Sequence, residues 1–207
     1  ERGIDSDNFT SYLKDSFSED YFFELRNHPW TFKRKIDGTN IRIQWDGEQA
    51  KIFGKTNKAN MDSIPGFKAF MEERFLEERF EEKFGHDKMV YLYGEWAGPK
   101  VQRNDLNLVF PEFVLFDVEI NGTFLDSAGI CDISQHFGIS NCYSFNTSDL
   151  CDCENKSLLD WIDYVAKGNI ASWEGIVVEP SGQLRSRTGN RIIAKIKNVD
   201  YQVKICK

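Results

Sequence analysis

The sequence predicts an α+β fold built on antiparallel sheet with flanking helices. Two observations carry this expectation. Short apolar runs with strand character are joined by hairpin signals, and only a few segments show helical spacing. The runs are Ile41 to Trp45, Met89 to Trp96, Phe113 to Ile120 and Trp173 to Glu179. The chain has 207 residues, without an internal repeat or a low-complexity linker. That length suggests one domain, spanning 1–207, and suffices to bury a core.

Residues 9–26 read as helical or mixed. Asn27 to Thr31 form a break, because Pro29 disfavours helix at the residue before it. Lys35 to Asn40 read as a tight polar turn. Ile41, Ile43 and Trp45 then alternate with Arg42, Gln44 and Asp46, the period of a half-buried strand. Asp46-Gly47 signals a hairpin, and Ala50 to Phe53 is its return strand. Residues 66–84 form the strongest helix pattern, with phenylalanines on one side and glutamates on the solvated other. Gly85 follows as a C-cap. Asn121-Gly122 marks a second hairpin, and Asp126 can cap a helix over 127–137. A further helix fits 157–167, closed by Gly168, and 191–198 reads as a final strand.

The net charge of −7 argues against a non-specific nucleic-acid binder. The distribution is uneven, however. From Leu184 onward, Arg185, Arg187, Arg191, Lys195, Lys197, Lys204 and Lys207 face only Asp200. A polyanion such as RNA could meet a local positive surface there, at Arg185, Arg187 and Arg191 above all. Five cysteines at irregular spacing suggest reduced thiols and a cytoplasmic or nuclear protein that is not secreted. Cys151-Asp152-Cys153 lacks a second pair at zinc spacing and reads as ordinary free cysteines. No apolar run is long enough to span a membrane, and the first residues do not resemble a signal peptide. His28, His86 and His136 receive no role.

The chemistry starts at Lys33-Arg34-Lys35, three cations beside a sheet. A nucleophilic lysine must shed its proton, and neighbouring cations disfavour the ammonium form. Lys195 and Lys197, two apart on a strand, project from one face and are the more persuasive partners. A lysine nucleophile with further lysines and carboxylates fits nucleotidyl transfer. Lysine attacks the α-phosphorus, other lysines neutralise the phosphate oxygens, and carboxylates hold magnesium. Glu95, Asp117 and Glu174 are the acids set in apolar runs. Each taken singly is equally well a solubilising strand end.

Five elements in order then resemble the covalent nucleotidyltransferase superfamily of ATP-dependent DNA ligases, RNA ligases and mRNA capping enzymes. They are Lys35-Ile36-Asp37-Gly38-Thr39-Asn40, Gly94-Glu95, Phe113 to Asp117, Glu174-Gly175-Ile176-Val177 and Lys195-Ile196-Lys197. Asn40 stands where DNA ligases and capping enzymes usually have arginine. With Gly94-Glu95-Trp96-Ala97-Gly98-Pro99, it makes the chain most similar to phage-type RNA ligases. The resemblance implies an ATP-grasp-like ligase adenylation domain. It implies an ATP-dependent enzyme that joins RNA 5′-phosphate and 3′-hydroxyl ends with Mg²⁺ or Mn²⁺.

Roles follow position by position from the resemblance. Lys35 carries AMP. Asn40 and Glu95 bind the ribose side, and Phe116 stacks on adenine. Lys195 and Lys197 contact the α-phosphate. Glu174 holds the metal with Asp37. Lys55 stands in for an arginine of the family as a point charge. The chain departs from the family at Arg34, where RNA ligases commonly have an acid. It also leaves no room after Lys197 for an OB domain or C-terminal accessory domain, so a monomer that grips RNA through an accessory domain or protein is a further expectation. The alternatives are a DNA ligase or capping-type transferase, or a nucleotide- or RNA-binding module without turnover.

Overall fold

The computed structural model describes residues 2–4, 10–12, 17, 19–54, 64, 66–150, 156–169 and 172–198. In chain order the elements begin with β1 (Arg2–Ile4), β2 (Thr10–Tyr12), α1 (Asp20–Glu24), β3 (Trp30–Lys35), β4 (Thr39–Trp45) and β5 (Ala50–Gly54). Next come α2 (Phe67–Arg74), α3 (Glu77–Phe84), β6 (Val90–Ala97), β7 (Glu112–Ile120), β8 (Thr123–Phe124) and α4 (Ser127–Phe137). The last are β9 (Ser140–Asn141), β10 (Ser144–Asn146), α5 (Leu158–Asn169), β11 (Gly175–Pro180) and β12 (Ala194–Lys197). The fold is α+β on antiparallel sheet, as the sequence predicts. The chain divides into two compact units, Glu1–Lys35 with Tyr143–Lys207, and Ile36–Cys142.

The first unit contains a four-stranded sheet in the order β10-β3-β11-β12, antiparallel throughout. Its two faces differ in chemistry because β3 reads Trp30-Thr31-Phe32-Lys33-Arg34-Lys35. Trp30 and Phe32 point with Ile176 and Val178 into an apolar core closed by Phe22 of α1 and by Leu158, Trp161 and Val165 of α5. Lys33 and Lys35 therefore share the opposite face. The turn expected at Lys35 begins one residue later. Helix α5 runs through Gly168 instead of stopping there, and the last strand covers only 194–197 of the expected 191–198.

The second unit is a sheet in the order β5-β4-β6-β7-β8, with β9 parallel to β7. Ile41, Ile43 and Trp45 are buried, as their alternation requires. Both hairpin signals form. Asp46 Oδ1 accepts from the Glu48 and Gln49 amides at 3.1 and 2.9 Å. Asn121 and Gly122 adopt φ of 49° and 83°. Asp126 caps α4 by accepting from the Gly129 amide at 2.8 Å.

The helix expected over 66–84 is two helices, broken at Phe75-Leu76. At about 100° per residue, Phe80 would lie roughly 220° round a straight helix from Phe67. One straight helix could not bury both. Leu76 takes an extended conformation, and the break re-aims the second half. Phe67, Met71, Phe75, Phe80 and Phe84 then all enter one core with Phe113 and Phe137.

His86, beyond that helix pair, makes a pH-dependent tie. Its Nδ1 lies 2.6 Å from the Gly47 carbonyl and its Nε2 2.9 Å from Glu81. Both partners are acceptors, so both ring nitrogens are needed as donors, and the pKa is raised above 6.5. A raised folded value means the contribution is full below the unfolded pKa and is lost as pH rises through the folded one. Denaturant midpoints of the parent and His86→Ala should therefore converge between about pH 5 and pH 9. A gap that is constant with pH would contradict this tie.

Candidate active site

Lys35 ends β3 on the polar face of the first unit's sheet. The register of β11 sets Gly175 between Lys35 on one side and Lys197 on the other. Directly opposed residues in antiparallel strands share a face, so Lys35 and Lys197 flank Gly175. Val177 is likewise flanked by Lys33 and Lys195. One face thus carries four lysines in two rows. A Cβ at position 175 would run into the Ile196 carbonyl, so only glycine lets β12 approach this closely.

Two carboxylates answer this charge. Glu174, just before β11, pairs with Lys35 Nζ through Oε2 and lies 3.4 Å from Lys197 Nζ through Oε1. The Lys35 and Glu174 side chains are 21% and 19% exposed, open enough for a ligand to reach. Glu179 is buried, 2.6 Å from Lys33 through Oε1 and paired with Arg191 through Oε2. The sequence reading passed over Glu179, an acid at the end of an apolar run. Its signal is the alternation that puts a buried lysine on the same face. Lys195 and Lys197 are exposed. Arg34 points the other way, its guanidinium 5.1 Å from the Trp173 ring centroid. Strand parity thus separates Arg34 from Lys35 despite their adjacency.

Asn40, Glu95, Phe116, Asp117 and Asp37 lie in the second unit. Asn40 on β4 faces Glu95 on β6, and its amide nitrogen lies 3.4 Å from Glu95 Oε1. The preceding Gly38 packs on the Trp96 carbonyl, 2.5 Å from where a Cβ would sit. Phe116 occupies an irregularity in β7. Tyr93 opposes Asp117 and Gly94 opposes Leu115, so Phe116 is the extra residue of a bulge. Bulges re-aim side chains, and Phe116 is half-buried against a small cluster of Ile36, Ala97, Val114 and Cys142. Gly94 is required opposite it, because a Cβ there would strike the Phe113 ring. Asp117 is buried, and Asp37 is half-buried in the turn after β3. Lys55, Cys151, Cys153 and Cys206 lie outside the described residues. Cys131 and Cys142 are free thiols.

Among the described residues, no three His, Cys, Asp or Glu side chains cluster as a metal cage. Glu174 alone fits Mg²⁺ or Mn²⁺ in another way. Mg²⁺ characteristically uses one or two carboxylates and takes its remaining ligands from water and phosphate oxygens. No helix among the described residues is long and apolar enough to cross a membrane.

Four lysines and a reachable carboxylate on one strand face define, as a class, a site built to take a polyphosphate. The chain belongs to the RNA ligase family, whose model matches residues 28–197. It is similar in fold to Naegleria gruberi RNA ligase. One such structure is a lysine variant with AMP and Mn, with a TM-score of 0.64, 13% identity, and coverage of 89% of this chain and 54% of that one. Another is the same ligase with PPi, at TM-score 0.62, 13% identity, and coverage of 89% and 54%. A third, a glutamate variant with ATP and Mn, gives 0.63 and 13%, with coverage of 95% and 59%. This chain therefore spans little more than half the length of those ligases. No curated protein sequence matches it.

Proposed function

We propose that this chain supplies the adenylation chemistry of an ATP-dependent RNA ligase that joins 5′-phosphate and 3′-hydroxyl ends. The observation that carries this reading is Lys35, paired with Glu174 and set across Gly175 from Lys197, in a chain of the RNA ligase family. The Lys35 amine loses a proton and bonds to the α-phosphorus of ATP, and the bond to pyrophosphate breaks. A 5′-phosphate oxygen of RNA then takes the AMP, and Lys35 regains its proton. Finally the 3′-hydroxyl attacks the activated phosphorus, loses its proton and releases AMP.

The remaining roles are proposed with it. Lys195 and Lys197 neutralise the α-phosphate oxygens. Asn40 and Glu95 bind the ribose hydroxyls, and Phe116 offers its ring to adenine. Lys55 is assigned to the phosphates as a point charge. Glu174 and Asp37 would hold the divalent cation, which neutralises charge on the phosphate groups. Release of Glu174 from Lys35 would accompany that binding, leaving the amine without its counter-ion. The ligases of like fold bind ATP or AMP with Mn, which supports this cofactor set. We place the activity in the cytoplasm or nucleus, with the chain acting as a monomer.

The test is intact mass after exposure to ATP or GTP with Mn²⁺ or Mg²⁺, followed by sealing of RNA and DNA ends. The expected result is a one-nucleotide adduct from ATP alone and sealing of RNA. An adduct from GTP alone would instead support a capping-type transferase, and sealing confined to DNA a DNA ligase.

A further inference from the structure

The charge reversal near the C-terminus takes a defined shape. Arg185 and Arg191 face each other in an isolated antiparallel bridge, closing a hairpin over Ser186 to Asn190. The Ser186 amide donates to the Asn190 carbonyl at 2.8 Å and the Gly189 amide to the Ser186 carbonyl at 2.9 Å. Ser186 and Thr188 hydroxyls meet at 2.9 Å, and Arg185 donates to the Gly189 carbonyl at 3.0 Å. At its base, Arg191 is held by buried Glu179, which also holds Lys33. The hairpin is thus pinned to the sheet that carries Lys35. Arg185 and Arg187 are exposed on it.

From Ser181 to Asn198 there are five basic residues and no acidic one, in a chain of net charge −7. Lys195 and Lys197 are already assigned to the α-phosphate. Arg185 and Arg187 have no part in that assignment, and neither neutralises an acid among the described ion pairs. A pre-formed turn lowers the ordering cost of binding. Guanidinium groups match phosphate oxygens by charge and by their fork of donors.

We propose that the Arg185–Arg191 hairpin is a contact surface for the phosphodiester backbone of the RNA being joined. Arg185 and Arg187 are the contacting groups, and Glu179 positions the hairpin through Arg191. This rests on the RNA-joining function proposed above and adds where the strand is gripped. Contacts to phosphate bind without reading sequence, so the hairpin contributes affinity and not base preference.

The test measures binding of a labelled single-stranded RNA against salt for the parent and for Arg185→Ala/Arg187→Ala, beside ATP-dependent mass shift. Each lost phosphate contact flattens the log–log salt slope by about 0.7 for a single strand, so two flatten it by about 1.4. Affinity should fall roughly tenfold or more at moderate salt, with the mass shift retained. Arg185→Lys/Arg187→Lys should keep most of the slope. Lys68→Ala/Lys167→Ala, which removes two exposed charges elsewhere, should behave as the parent. RNA binding by the alanine pair equal to the parent at every salt would overturn the proposal, as would an equal loss in the Lys68 and Lys167 control. Loss of the mass shift together with affinity would assign the hairpin to the fold and overturn it too. A parent that binds RNA through these arginines but never takes up AMP would contradict the ligase function and leave the hairpin assignment standing.

Discussion

Lys35→Ala should eliminate covalent nucleotide uptake, a loss on the order of 10⁶ where a nucleophile is removed. The fold should survive it. Lys35 lies at the end of β3, on the polar face of the sheet. Glu174 keeps Lys197 at 3.4 Å after the substitution, so the carboxylate retains a cation. The expected stability change is about 1 kcal/mol or less. Lys35→Arg sharpens the prediction. It preserves a cation opposite Glu174 but offers a guanidinium that stays protonated. If Lys35 served only as a structural counter-ion, arginine would restore uptake. As the nucleophile it cannot be replaced this way, and both variants should show the parent mass unchanged by ATP.

The largest expected effect on stability is at Glu179. Its carboxylate lies in a buried site between Lys33 at 2.6 Å and Arg191. Removing one partner of a buried pair costs about 3–5 kcal/mol, because charge that was compensated no longer is. Glu179→Ala should therefore lower the midpoint of thermal unfolding by on the order of 10 °C. Glu179→Gln should cost less, since the amide oxygen can still accept. An alanine variant with the parent's unfolding midpoint would show that Lys33 and Arg191 are neutralised by other means. The effect reaches the candidate site because Lys33 and Lys35 lie two residues apart on one face of β3.

Much of this arrangement was legible from local chemistry. Ile41, Ile43 and Trp45 specify β4 because a slip of one residue would put all three in water. Asp46-Gly47 and Asn121-Gly122 mark hairpins because few residues tolerate positive φ. Lys195 and Lys197 were placed on one face by parity alone. The break at Phe75-Leu76 was not legible, since it contains neither proline nor glycine. Tertiary burial of Phe80 and Phe84 enforces it. Three successive cations hid the strand character of Lys33 to Lys35, which rests on Trp30 and Phe32 of the other parity. The Lys33–Glu179–Arg191 cluster joins residues far apart in the chain and needed the β3–β11 register to be seen. The bulge that re-aims Phe116 is likewise a property of the pairing of β6 with β7 and not of either strand alone.

The central claim is that one particular lysine of four on the same sheet face receives the nucleotide. Proteolysis after incubation with ATP and Mn²⁺, followed by tandem mass spectrometry of the adducted peptide, tests it most directly. The account predicts AMP on Lys35 and on no other residue. AMP on Lys33, Lys195 or Lys197, or a folded protein that takes up no AMP at all, would contradict it.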